Sequence, residues 1–316
     1  MITDLPQSLI EAVRYFSDLA ICNKYMQAIK WPDGKIVCPK CESERIGQIA
    51  TRHMLRCKDC RKQFSAKVGT LFEDSPLGLD KWFVAVWCIS NSKNGISSHE
   101  LGRALDVTQK TAWFMLHRIR EAMKTGSFRK LEGEVETDET FIGGKARNMH
   151  KAKREAKIKG RGTVSKTIVH GLLERGGEAR MSVVRDTEGA TLQPLVHQNV
   201  ERGSAVYSDA MPSYRGLDGA YGHQFIDHAS KYVEGRVHTN GLENFWSLLK
   251  RTLAGTYVSV RPFHLTRYLD EQAFRFNRRL GSDASRFYEV LSAVVGKRLT
   301  YRVLTAQGDA GFMGIR

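Results

Sequence analysis

Apolar positions recur at helical spacing over residues 8–29, where Leu9, Ile10, Val13, Phe16, Leu19 and Ala20 fit one or two short helices. Trp31-Pro-Asp-Gly34 ends that pattern. Helical periodicity resumes after Pro76, with Leu79, Trp82, Phe83, Val86, Trp87 and Ile89 on one face up to Asn94-Gly95. Ser97-Ser-His-Glu100 starts a further helix, Asp106-Val107 offers a turn, and a helix from Thr108 to Arg120 follows. Its Ala112, Leu116 and Ile119 can pack on Leu101 and Leu105. That leaves Gln109, Lys110, Trp113, His117, Arg118 and Arg120 partly outward. Two short helices joined by a tight turn fit a helix-turn-helix with its recognition helix at Thr108, and they also fit ordinary helical packing.

The period changes to two beyond the linker Lys124–Gly133. Glu134–Ile142 alternates, with Glu136 and Asp138 on one face and Val135, Thr137 and Phe141 on the other; acidic residues are uncommon inside a strand. Thr167–Leu173 and Arg180–Arg185 read as a hairpin, 191–200 as a helix, and Ser204–Ser208 as a strand ending in Asp209. Open α/β sheets hold their sites at the carboxyl ends of strands, although an isolated Asp there is more often a turn starter. From Asn240 an amphipathic helix carries Leu242, Phe245, Trp246, Leu249 and Leu253, with Asn240 as N-cap and Glu243 as its partner three residues on. Glu243 and Lys250 lie about two turns apart on one side. Segments 263–279 and 283–296 give further helices, and Gly308–Arg316 a loose tail.

Composition adds a partner. Against 49 Lys and Arg stand 34 Asp and Glu, a net charge of +15 that suits a polyanion, nucleic acid first and an anionic membrane surface second. Nine Lys or Arg and one acid lie between 145 and 166, a basic loop suited either to phosphate contact or to solvation. No apolar run long enough to span a membrane appears, and the N-terminus lacks signal-peptide order, so a cytoplasmic, nucleoid-associated location is expected.

Four of the six cysteines form Cys38-Pro-Lys-Cys41 and, fifteen residues later, Cys57-Lys-Asp-Cys60. That spacing suits a zinc ribbon whose four thiolates close one structural Zn2+ site. Cys22 and Cys88 sit in apolar, helix-like contexts and read as core. Asp138, Asp209 and Glu243 place three carboxylates on three elements of one mixed-sheet domain, the hard-oxygen set that two-metal phosphoryl chemistry with Mg2+ or Mn2+ requires.

Trp31–Gly34 before the first Cys pair, the two Cys pairs, Thr137-Asp-Glu-Thr-Phe-Ile-Gly-Gly-Lys145, Tyr207-Ser-Asp209 and His238-Thr-Asn-Gly-Leu-Glu-Asn-Phe-Trp-Ser-Leu-Leu-Lys250 cover nearly the whole chain. They resemble the bacterial insertion-sequence DDE transposases that begin with a zinc ribbon, the Merlin-related, ISXO2-like group. The resemblance implies a multidomain chain: a zinc ribbon and helix-turn-helix, then an α/β RNase H-like catalytic domain with a mixed sheet. It implies Asp138, Asp209 and Glu243 as metal-binding triad with two Mg2+ ions, Lys250 as the associated basic residue, and His238 and Asn240 as supporting groups. Double-stranded DNA, as terminal inverted repeats and target, is the implied partner, contacted through Gln109, Lys110, Trp113 and Arg118 by a homo-oligomer on DNA. The expected segments are a helical lead at 1–30, the ribbon at 31–72, a helix-turn-helix unit at 76–125, the catalytic domain at 131–280, and a C-terminal helix and tail at 281–316. A zinc-ribbon transcription regulator and an RNase H-like structure-specific nuclease are the alternatives.

Overall fold

The computed structural model describes residues 5–124, 129–144, 150–152, 155, 166–226 and 237–306. Contacts divide the chain into two units, residues 1–124 with 280–316 and residues 125–279. Most of the expected basic loop at 145–166 lies outside the described residues. Among those described, no helix is long and apolar enough to cross a membrane.

In the first unit, α1 (Leu9–Phe16) and α2 (Leu19–Lys30) are separate helices because each has its own cap. Ser8 Oγ accepts from Glu11 N–H, and Asp18 Oδ1 from Ala20 N–H. A three-stranded antiparallel sheet follows, β1 (Ile46–Ile49), β2 (Met54–Cys57) and β3 (Gln63–Phe64). Then come α3 (Leu79–Asn91), α4 (Ser98–Leu105) and α5 (Gln109–Met123). A capping box of Ser97 and Glu100 starts α4, a left-handed Asp106 ends it, and Thr108 caps α5. Gly102 lets α5 come close, since a Cβ there would lie 3.0 Å from the Val107 carbonyl oxygen.

The second unit is a five-stranded mixed sheet. Antiparallel β4 (Glu134–Ile142), β5 (Thr167–Glu174) and β6 (Ala179–Val184) lead through α6 (Gly189–Asn199) to β7 (Ala205–Asp209), parallel to β4, and β8 (Gly222–Ile226), parallel to β7. The order β6-β5-β4-β7-β8 is that of an RNase H-like domain. Two further helices follow, α7 (Asn240–Thr252) and α8 (Leu265–Asn277). Alternation along the strands feeds two cores. Val135, Leu172 and Val206 meet Leu192 and Val196 of α6, while Val169 and Leu173 meet Leu242, Phe245, Trp246 and Leu249 of α7 and Leu269 of α8. The strand β8 was not expected.

The chain then returns to the first unit with α9 (Asp283–Ser292) and α10 (Tyr301–Thr305). The described part of segment 281–316, expected as a C-terminal helix and tail, thus shares a core with the N-terminal helices through α9. Phe287 of α9 lies 5.1 Å from Phe16 and 5.4 Å from Trp87, ring centre to ring centre.

Candidate active site, thiolate cluster and basic helix

Parallel pairing of β4 with β7 runs from Glu134↔Ala205 to Glu136↔Tyr207. Two residues further along, Asp138 and Asp209 stand level on neighbouring strands. Asp209 is the last residue of β7, and its Oδ1 accepts the Met211 N–H at 3.1 Å, so it also serves the turn that follows. Glu243 lies in the exposed first turn of α7. Burial pushes the Asp138 carboxyl up to about 6; bonds from the Trp246 indole and the Glu139 amide oppose this, and the charges of Asp209 and Glu243 add to it. Asp138 therefore senses the charges of both other acids.

Asp138 is held by a contact the sequence reading did not assign. The Trp246 Nε1–H donates to Asp138 Oδ2 at 2.9 Å. The indole reaches it by lying over Gly171, which pairs with Asp138 across β4 and β5. A Cβ at 171 would sit 2.7 Å from the ring. A glycine inside a strand marks such a close approach, and that was the available signal.

The start of α7 differs from expectation. Asn240 is its first residue, the N-cap position belongs to Thr239, and no side chain of the segment itself caps it. Instead the buried Glu136 reaches across from β4, its Oε2 accepting the Leu242 N–H at 2.9 Å. A full carboxylate against unpaired amides at a helix N-terminus outcompetes a neutral Asn cap. Glu136 is in turn bound by Arg175 Nε at 2.9 Å, and Arg175 Nη2–H donates to the His238 carbonyl (2.9 Å) and faces His238 Nδ1 (3.0 Å). His238 thus lies in the anchor that fixes α7, while Asn240 is exposed. Lys250, two turns after Glu243, is exposed as well.

Glu139 points into the α6 side of the sheet. Burial pushes it up to about 8; the Tyr214 hydroxyl donates to its Oε1, while Oε2 is buried without a hydrogen-bond partner. Its charge interacts with both Asp138 and Asp209.

In the ribbon, the ligand atoms of Cys38, Cys41, Cys57 and Cys60 lie within 4.8 Å of one another. Cys38 and Cys60 sulfurs are 3.5 Å apart, and Cys41 and Cys57 sulfurs 3.6 Å. Tetrahedral zinc with Zn–S of about 2.3 Å separates sulfurs by about 3.8 Å, so the cluster fits one ion. The Cys60 amide draws the Cys57 thiol down to about 6, toward the thiolate a metal needs. Cys22 and Cys88 lie away from this cluster, and burial raises both thiols.

On α5, Gln109 and Lys110 are exposed and Trp113 half-buried. His117, Arg118 and Arg120 are not outward as expected but buried at 0, 6 and 1% exposure. The returning C-terminal segment covers Arg118, whose Nε–H donates to the Leu299 carbonyl at 3.0 Å.

A family model for the ISXO2-like transposase domain matches residues 130–277, and one for a transposase zinc-ribbon domain matches residues 20–63. An uncharacterized protein in transposable element ISH50 of Halobacterium salinarum is 31% identical over 265 residues, covering 80% of this chain and 88% of its own length. An uncharacterized transposase-like protein of Haemophilus influenzae is 36% identical over 75 residues, 23% of this chain and 60% of that one. Of solved structures, the Mos1 strand transfer complex aligns over 69% of this chain and 79% of its own at 14% identity, with a TM-score of 0.28, too low to carry an argument.

Proposed function

The chain belongs to the ISXO2-like transposases, and from that premise we propose that it binds the terminal inverted repeats of an insertion sequence and catalyses metal-dependent cleavage and strand transfer. One observation carries the chemistry: Asp138, Asp209 and Glu243 stand on two adjacent parallel strands and a helix, and the charges of Asp209 and Glu243 add to the burial that raises the Asp138 pKa. A buried carboxylate with two acids near it is a set a divalent cation would relieve, and hard oxygen donors suit Mg2+ or Mn2+. When bound, such ions supply Lewis acidity and a water or 3′-hydroxyl of lowered pKa.

The chain's own residues do the rest. The Trp246 indole and the Gly171 gap hold Asp138 at a fixed rotation, and the Glu136–Arg175 pair fixes the end of α7 that carries Glu243. Lys250, exposed beyond Glu243, offsets phosphate charge. Gln109, Lys110 and Trp113 on α5 read the repeat, with the thiolate-closed ribbon beside them in sequence. Assembly on paired ends as a homo-oligomer completes the reading. Purified protein with Mg2+ and labelled terminal repeats tests it. Joined products are expected; cleavage without joining would indicate a structure-specific nuclease, and selective binding without either a regulator.

A further inference from the structure

Beside the first turn of α5 lies a cavity of about 450 Å3 that the catalytic reading does not use. Its volume falls within the roughly 300–1,000 Å3 of sites that take small organic ligands. Trp82, Phe114 and Tyr301 supply its aromatic walls, with Phe114 and Tyr301 edge-to-face at 5.6 Å and 89°. Two cations and one carboxylate complete it, the carboxylate being Asp74, paired with Arg298 at 2.7 Å. The Arg118 guanidinium carbon lies 4.5 Å from the Phe114 ring centre and 5.9 Å from that of Trp82, and Lys110 Nζ lies 5.0 Å from that of Tyr301.

The charges decide what fits. An apolar side chain from another protein would fill the aromatic space but bring no anion to a wall on which two cations face one carboxylate, itself shared with Arg298. A nucleotide satisfies both features, since its planar base has a π-face for the rings and for the guanidinium, and its phosphate answers the cations. The position agrees: Thr108, Lys110 and Thr111 of the wall form the N-terminal turn of α5, the end at which Gln109 and Lys110 are exposed and where the helix dipole also favours phosphate. We propose that this cavity receives a single nucleobase turned out of the bound DNA, with Lys110 on its phosphate and Phe114, Tyr301 and Arg118 around the base. The proposal rests on the reading of α5 as a DNA-binding helix. Turning out a base loses stacking and pairing, and stacking on aromatic side chains returns part of that loss, so the site would favour repeats with an easily unpaired step at one position.

The test uses the full-length, zinc-loaded protein without added Mg2+ and duplexes carrying the terminal repeat, with 2-aminopurine stepped through it one position at a time. One position is expected to change its emission several-fold on binding while the others stay near the duplex level. An abasic nucleotide opposite that position should tighten binding, because pairing no longer opposes extrusion. Phe114→Leu and Tyr301→Leu keep apolar volume without a ring, and at saturating protein they should lower the response at that position. The scan with unmodified protein stands alone should either variant fail to fold. A repeat that is bound selectively with duplex-level emission at every position overturns this inference and leaves the transposase reading standing. Absence of selective binding overturns both.

Discussion

Gly171→Ala places a methyl group where the Trp246 ring now lies. The added Cβ would be 2.7 Å from two ring carbons and 3.0 Å from Leu242 Cδ2. Carbon contacts rest at about 3.5–4.0 Å, so the ring must retreat by about 1 Å. The indole–carboxylate bond, now 2.9 Å, would then lengthen to about 3.9 Å and cease to be a hydrogen bond. Overpacking costs about 1–3 kcal/mol and the lost bond to an ionised partner about 1.5–3 kcal/mol. Together these predict a loss of roughly 2.5–6 kcal/mol. At about 2–4 °C per kcal/mol for a unit of this size, Tm should fall by roughly 5–24 °C. Differential scanning calorimetry at pH 7.5 reads the stability, and a strand-transfer assay below both midpoints reads the chemistry. Trp246→Phe separates the two effects: it keeps most of the ring and removes only the donor, so it should cost less stability while still slowing joining through an Asp138 left with the Glu139 amide alone to orient it. A Gly171→Ala protein whose Tm stays within about 2 °C of the unmodified chain, with joining unchanged, would refute the claim that this gap positions the carboxylate.

Asp138→Asn, Asp209→Asn and Glu243→Gln should each abolish joining while repeat binding persists, and pairs of them should lose little more than singles, because they act as a unit; Lys250→Ala should cost less. Cys57→Ser should bring zinc content by metal analysis from one ion per chain to near zero and unfold the ribbon. His170, buried and hydrogen-bonded to Thr137, is held down to about 4. The unfolded chain takes up that proton near 6.5 and the fold only near 4, so stability should be full above pH 6.5 and fall by about 3 kcal/mol as pH drops to 4. Urea titrations should show that slope flattened in His170→Gln. Lys110→Ala should weaken repeat binding and lower the log Kd versus log salt slope by about 1.

The strand period at 134–142 and 167–185 and the stripe on α7 made the sheet and its helix legible, because each is a local pattern. Glycine 222 with His223 and Gln224 gave β8 no apolar alternation, and as an edge strand it needs none. The α7 cap was misread because its acceptor, Glu136, lies 106 residues earlier in the chain. The same holds on α5, where Leu299 takes the Arg118 donor from 181 residues away and turns an apparently outward face inward. Trp246 was visible as an apolar position, but its indole N–H found work only once β5 brought a glycine beneath it. Glu139 was legible as an acid next to Asp138. Its burial against Tyr214 was not, since that tyrosine arrives from a short turn after β7.

Residues 125–279 are spliced, in sequence, into the middle of the first unit. A ribosome adding about 5–20 residues per second needs roughly 10–30 s to make that insert. Throughout that interval Phe16, Phe83 and Trp87 are already made, while Phe287, their aromatic neighbour, has yet to be translated. The sheet of the inserted unit can therefore form before the N-terminal core closes, and the nascent N-terminal helices are a natural client for a chaperone during the wait. A fragment that stops at residue 124 would stay in that unfinished condition indefinitely, whereas the same fragment given a peptide of residues 280–306 should acquire the missing helix.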